Sequence, residues 1–348
     1  MNPTPITILG DGQMGVFCAS LLAGQPESLG IGAVSLWGHE AKPILALSQT
    51  RVSARLDMVR VPESVRVTPD DAGALRGAGL ILAAIPTQYI RSVLHRLERH
   101  IPSGVPIVSV SKGFENQTLL RPTQVIRSAL GEIGHGPDHP NRRPVGVLSG
   151  PTIAPELGRC LPATMVSASE DGELAARVQA MFTTSWLRIY TSADPVGVEV
   201  AGAVKNIIAI AAGIIDGLQA GYNAKSALLA RGLAEIVRLG TALGATQETF
   251  FGIAGVGDLA TTCFSPEGRN RSCGEALGRG ESLGNYLERT NSVVEGVATT
   301  LSVMELSKKL GVEMPITEAV HAVLYEGLDP IDAISKLMSR RVKAERVG

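Results

Sequence analysis

The segment ITILGDGQMGVFCASLLA, residues 6 to 23, restricts what this chain can fold into more than any other. A short apolar run suited to a strand breaks into Gly10, Gly12 and Gly15, spaced G-x-G-x-x-G, and an apolar run suited to a helix follows. In that context each glycine has its own reason. The first permits a tight turn, the second lets backbone approach a pyrophosphate, and the third lets helix pack closely on strand. The helix start faces the same point with amides that have no intrahelical partner. Glycines also serve ordinary turns, so it is the strand before and the helix after that point to a dinucleotide.

The alternation continues. ITILG, AVSLWG, LILAAIP, PIVSVSKG, VGVLSGP, ATMVSAS and LRIYTS are β-type runs separated by helix-length connections, the pattern of a wound, largely parallel sheet buried on both faces. After Asp194-Pro195 the pattern changes to long helical stretches over 196–220, 224–243, 295–311 and 315–326, with no convincing strand. In the third of these, Val297, Leu301, Met304 and Leu310 recur at helical spacing as the expected apolar face, while Lys308 and Lys309 face elsewhere. The expected architecture is an α/β Rossmann-type dinucleotide-binding domain over 1–194, followed by an all-α substrate domain over 195–348. GHGPDHPNRRP, residues 134 to 144, is expected to be a solvent-exposed connection, and its histidines lack a metal-ligand spacing.

Charge narrows the partners. The 32 Lys and Arg nearly cancel the 33 Asp and Glu, which leaves no broad field for nucleic acid or an anionic membrane. Cys18, Cys160, Cys263 and Cys273 form no CxxC pair and are too sparse for a disulfide framework, so a reducing cytoplasmic setting is expected. MNPTP runs into ITILG without the features of a signal peptide, and the apolar stretch around 200–215 carries Lys205 and Asn206, which predicts a buried helix short of a membrane span.

Lys205 is the only charge between Glu199 and Asp216 in VGVEVAGAVKNIIAIAAGIIDGL. A buried ammonium is paired, deprotonated more easily than usual, or used in chemistry. Partial burial moves a lysine toward the range useful for general acid or base catalysis. Pairing with Glu199 or Asp258 for purely structural reasons explains the residue equally well.

Other candidates lie at strand ends and turns. Lys112, after PIVSV, is placed where ligands bind in open α/β sheets; Gly150 and Thr152 follow VGVL in a comparable position. His39 stands where ribose is selected, with the acid Glu40 arriving late, so NAD and NADP both remain open. Gly255-Val256-Gly257-Asp258 suggests a flexible turn presenting an acid, either a helix cap or a partner for Lys205. GRNRS offers Arg269, Asn270 and Arg271 in a loop, with guanidinium forks suited to phosphate. Glu295, after Ser292-Val293-Val294, caps a helix or reaches a ribose hydroxyl.

In this order, across nearly the whole chain, these pieces resemble the bacterial-type NAD(P)-dependent glycerol-3-phosphate dehydrogenases. The resemblance is carried by the fingerprint at Gly10, LWGH, VSKG, LSGPT, GAVKNIIAI, LARGLAEIVRLG, AGVGDL, GRNR, VVEG and GVEMPITE. It implies reversible hydride transfer between NAD(P)H and C2 of dihydroxyacetone phosphate, giving sn-glycerol 3-phosphate for phospholipid synthesis. By the same resemblance Lys205 transfers the proton, while Lys112, Gly150, Thr152, Asp258, Gly268, Arg269 and Asn270 contact substrate. Gln13, Met14, His39, Ala154, Val293 and Glu295 join the three glycines around the cofactor, with Lys112 and Arg269 reaching it too. The implied partner is a small phosphorylated triose, with no nucleic acid and no stable membrane insertion, and a homodimer possible.

Three departures stand out: Gly268 where the family usually has serine, Gln13-Met14 in place of a more typical pair, and a first βα unit lengthened by GQPESLGIGA. A hydroxy-acid dehydrogenase would share the fingerprint and the lysine but have less use for Arg269. A non-catalytic NADP sensor would have no use for Lys205, Asp258 and Arg269 together.

Overall fold

A computed structural model describes residues 3–132, 142–290, 293–341 and 344. The chain forms two compact units: Met1–Ser111 with Pro122–Pro195, and Lys112–Arg121 with Val196–Gly348. Residues 134–141 of the expected connection, together with Ser292, lie outside the described residues.

The first unit is built on strands β1 (Thr4–Leu9), β2 (Ile31–Trp37), β3 (Val52–Ser53), β4 (Leu56–Arg60), β5 (Arg66–Thr68), β6 (Leu80–Ala83), β7 (Ile107–Ser109), β8 (Val145–Ser149), β9 (Ala163–Ser169) and β10 (Leu187–Ser192). Helices α1 (Gln13–Ala23), α2 (Ala41–Thr50), α3 (Asp71–Leu75), α4 (Thr87–Leu97), α5 (Pro122–Ala129), α6 (Ala154–Gly158) and α7 (Gly172–Phe182) connect them. The main sheet runs β10-β9-β8-β7-β6-β1-β2-β5, and β3 and β4 form a separate antiparallel pair. From β5 to β8 this is the 3-2-1-4-5-6 order of a doubly wound dinucleotide fold, all parallel, with the order reversing beside β1. Within the main sheet, among the described residues, only β8 and β9 pair antiparallel. Each of the seven strands expected from sequence is present. The hairpin and β5 escape sequence reading because runs as short as VS and RVT carry no periodicity.

Among the described residues the second unit has no strand. Its helices are α8 (Pro195–Gly217), α9 (Gly221–Ala242), α10 (Asp258–Phe264), α11 (Arg269–Gly278), α12 (Leu283–Arg289), α13 (Glu295–Leu310), α14 (Pro315–Tyr325) and α15 (Pro330–Met338). The helix expected over 196–220 is α8, whose 23 residues, contrary to expectation, are long and apolar enough to cross a membrane, but 94% of its apolar window is buried inside the protein. It is a core helix: its Val204, Ile207 and Ile208 share one apolar cluster with Phe250, Leu259 and Val303.

The expected apolar face of α13 is corrected by the structure. Leu301 and Leu310 are exposed, and the buried face is Gly296, Thr299, Thr300, Val303, Leu306 and Ser307. Thr299 and Thr300 donate to the carbonyls of Glu295 and Gly296, both at 2.7 Å, so their hydroxyls enter the core already satisfied.

Close packing of α8 on α11 explains four glycines. A Cβ on Gly274 would lie 2.8 Å from the carbonyl carbon of Ile210 and nearer its oxygen, and one on Gly213 would lie 2.7 Å from the amide nitrogen of Glu275. Gly217 and Gly278 face each other in the same way one turn on, each Cβ within 3.1 Å of the opposite Cα. Two G-x-x-x-G rows thus bring the helix backbones together, which fixes the start of α11 with respect to α8.

Candidate active site

In the first unit the fingerprint glycines divide by cause. Gly10 has φ +112°, and a Cβ there would lie 2.9 Å from the carbonyl carbon of Ala84; a Cβ on Gly15 would meet the carbonyl of Gly10 as closely. Both are required by the fold. A Cβ on Gly12 would meet nothing within 4 Å, and its backbone is extended, at φ -70° and ψ 177°. The protein itself gives no steric reason for glycine there. Gly12 also begins α1 without a side-chain cap, so the amides of the first turn are open to a ligand. Open space beside uncapped amides at the point where the strand order reverses fits a dinucleotide pyrophosphate.

Gln13 donates from its side chain to the carbonyl of Arg55 at 2.8 Å, and Met14 packs on the core beneath. His39 follows β2, exposed, with its imidazole 3.9 Å from the Glu40 carboxylate. Gly150, Thr152 and Ala154 occupy the turn from β8 into α6, where Thr152 donates to the carbonyl of Gly150 at 3.1 Å. The neighbouring Ser149 hydroxyl is buried with no hydrogen-bond partner among the described residues.

In the second unit the charged candidates converge. Asp258, with a side chain 1% exposed, binds two lysines: Lys205 at one oxygen and Lys112 at the other, the latter at 2.7 Å. Lys205 also donates to the Thr262 hydroxyl at 2.6 Å, and that hydroxyl donates to the carbonyl of Asp258 at 2.7 Å. The partner of Lys205 is therefore Asp258; Glu199 is engaged by Arg121 instead. Burial pulls the Lys205 ammonium down to about 8, with the Asp258 carboxylate opposing and the Lys112 ammonium reinforcing the shift. Two ammoniums on one carboxylate leave a net positive charge in a dry setting, where a developing oxyanion is stabilised far more than in water.

Two local expectations are corrected. Asp258 is not on a flexible turn: Ile253–Gly257 forms a wide π-type turn that leads directly into α10, whose first residue is Asp258. Gly255 lets that turn close, since a Cβ there would collide with the backbone of Phe250. Nor are Arg269, Asn270 and Arg271 in a loop. They form the first turn of α11. Helix geometry sends them to different tasks. Asn270 is buried and accepts from the amide of Gly296 at 2.9 Å, whereas Arg271 binds Asp216 at 2.6 Å beside Lys225. Arg269 is exposed, and no described residue forms an ion pair with it. Gly268 caps this helix with no side-chain bond, so free amides and a free guanidinium lie together. Glu295 opens α13 and accepts from Asn206 at 3.4 Å, while Val293 is exposed nearby in sequence.

Sequence reasoning missed Thr262, whose signal was its place four residues after Asp258, one turn along a helix mistaken for a flexible turn. It also missed the α8–α11 glycines, although the spacing is visible in GIIDG and GEALG.

Comparison with known proteins places the chain in a family. Residues 5–175 match the family described as NAD-dependent glycerol-3-phosphate dehydrogenase N-terminus, and residues 194–335 match the corresponding C-terminus. A glycerol-3-phosphate dehydrogenase [NAD(P)+] of Bacillus pumilus is 46% identical, covering 96% of this chain and 94% of its own. One from Geobacillus kaustophilus is 44% identical, with 98% and 96% covered. The crystal structure of glycerol-3-phosphate dehydrogenase from Coxiella burnetii superposes with a TM-score of 0.89 at 35% identity, covering 97% of this chain and 99% of that one. The chain belongs to the NAD-dependent glycerol-3-phosphate dehydrogenase family.

Proposed function

We propose that this chain catalyses the reversible NAD(P)H-dependent reduction of dihydroxyacetone phosphate to sn-glycerol 3-phosphate, the precursor for glycerophospholipid synthesis. The observation that carries the mechanism is the buried carboxylate of Asp258 held between Lys205 and Lys112.

Gly10, Gly12, Gln13, Met14, Gly15 and His39 hold the dinucleotide, with Ala154, Val293, Glu295, Lys112 and Arg269 as further contacts. When bound, its nicotinamide supplies or accepts the hydride at C2. As negative charge grows on the C2 oxygen, Lys205 stabilises it as an ammonium and then donates a proton; in the reverse direction the neutral amine accepts the alcohol proton. A lysine held at about 8 changes charge near working pH, which suits both directions. Asp258 keeps Lys205 aimed, Thr262 supports it from the next turn, and Lys112 orients substrate with Gly150 and Thr152.

The free Arg269 guanidinium and the open amides after Gly268 take the phosphate, with Asn270 alongside, so binding at that remote group positions C2. Residues 1–194 act as the dinucleotide-binding domain and 195–348 as the substrate domain, in the cytoplasm, without membrane insertion and compatible with a homodimer.

The test compares NADH and NADPH oxidation with dihydroxyacetone phosphate and with dihydroxyacetone. Turnover of the phosphorylated ketone and its loss in Lys205→Ala, with dinucleotide affinity retained, are expected. Equal kcat/KM for the two ketones would refute the phosphate site, and joint loss of turnover and dinucleotide binding would make Lys205 structural.

A further inference from the structure

The stretch Lys112–Arg121 belongs to the helical unit although its chain neighbours on both sides belong to the sheet. It carries Lys112, a long flexible side chain that loses rotamer entropy when fixed. Three anchors hold the stretch. Phe114, 1% exposed, is buried in the helical core with Leu119. Ser302 of α13 donates to the Phe114 carbonyl at 3.3 Å and to the side-chain oxygen of Asn116. At the far end Arg121 pairs with Glu199 of α8, whose side chain is fully buried.

The last anchor differs in kind. Burying an ion pair carries a desolvation penalty that an apolar pair would avoid, so a purely structural clamp gains little from being charged. A pair of this sort does fix direction and register. Glu199 also lies six residues before Lys205 on the same helix, a rise of about 9 Å. One rigid helix therefore carries the acid that holds Arg121 and the lysine that shares Asp258 with Lys112.

We propose that Arg121 and Glu199 are positioning residues: they tie the far end of the 112–121 stretch to α8 and so hold Lys112 against Asp258. This rests on the roles given above to Lys205, Lys112 and Asp258. The charged and titratable groups facing Lys205 are Asp258 and Cys263 on α10 and Lys112 on the stretch itself. Burial pushes the Cys263 thiol up to about 12, which leaves Lys112 as the charge that a loosened stretch removes. Without that like charge, Lys205 holds its proton to higher pH.

The experiment measures kcat against pH and both KM values for full-length wild type, Lys112→Met, Glu199→Gln and Arg121→Lys, with thermal melts to show folding. Lys112→Met is expected to move the alkaline limb upward by about one pH unit. Glu199→Gln should move it in the same direction and raise KM for dihydroxyacetone phosphate several-fold, with KM for the dinucleotide unchanged. Arg121→Lys, which keeps the charge but loses the fork, should fall between wild type and Glu199→Gln. If Glu199→Gln fails to fold, Arg121→Lys is judged by the same criterion. A shift in Lys112→Met with none in folded Glu199→Gln overturns the positioning role. Absence of a shift in Lys112→Met overturns instead the assignment of the charged cluster on which it rests.

Discussion

Replacing Gly274 by alanine tests whether the α8–α11 contact sets the site. The new Cβ would lie 2.8 Å and 3.0 Å from the carbonyl carbon and Cα of Ile210. Ordinary carbon contacts optimise at about 3.5–4.0 Å, so the two helices must part by about 1 Å. Because the opposing atoms are backbone, no rotamer change relieves the clash. Overpacking of this kind costs about 1–3 kcal/mol and sometimes more, and parting the helices also weakens the contacts along both glycine rows. The gain in helix propensity from glycine to alanine, about 1 kcal/mol, works in the other direction. A net loss of about 2 kcal/mol is expected, or a fall in Tm of roughly 4–8 °C if the helical unit melts alone as a 150-residue domain.

Gly284→Ala is the matched control. It makes the same chemical change within α12 where a Cβ would meet nothing within 4 Å, and it should leave the melt unchanged or slightly raised. Function supplies a second readout, since the start of α11 carries Arg269 and Asn270. KM for dihydroxyacetone phosphate should rise in Gly274→Ala while KM for the dinucleotide is unaffected. Wild-type melting and wild-type KM in this variant would refute both the packing argument and the claim that the contact positions the arginine.

Ketone reduction by wild type should decline as pH rises through about 8, where Lys205 loses its proton, while alcohol oxidation gains over the same range. Asp258→Asn removes the charge that opposes this loss, so its limb should move to lower pH by at least about one unit; an unmoved limb assigns the titration elsewhere. Gly12→Ala should fold with unchanged stability yet bind dinucleotide at least about tenfold more weakly, equivalent to roughly 1.4 kcal/mol, whereas Gly15→Ala should lower Tm; calorimetry and isothermal titration separate the two. Glu235, buried on α9, accepts from the amides of Ile316 and Thr317 at the start of α14, yet burial pushes its carboxyl up to about 7. A folded value above the unfolded one means that its contribution is present below about 4.5 and fades as pH rises through about 7, by up to about 3 kcal/mol. Glu235→Gln should flatten Tm against pH between 5 and 8, and parallel curves for the two proteins would contradict this.

What could be read from the sequence depended on how local the determining physics was. The seven main strands and the fingerprint announce themselves within a few residues, because apolar runs and glycine spacing are local signals. The helix that presents Asp258 was concealed because GVGDL carries two glycines, the strongest local sign of a turn. Only the close approach of Gly255 to Phe250, five residues earlier in the same wide turn, makes them the entry to a helix. The buried face of α13 was misplaced for a related reason: hydroxyls that bond back to their own helix count as polar in sequence and as satisfied in the core.

The pairing of Lys205 shows the limit most directly. Both Glu199 and Asp258 are open to it in sequence. Helix geometry decides: six residues apart on α8, Glu199 and Lys205 are neither i,i+3 nor i,i+4 neighbours, and Glu199 meets Arg121 of the 112–121 stretch instead. A buried acid already matched by one cation has little to offer a second, so Lys205 is left to Asp258, where Lys112 meets it. The lone lysine is thus readable in one helix, but its surroundings are set by contacts distant along the chain, Lys205 to Asp258 across 53 residues and Lys112 to Asp258 across 146.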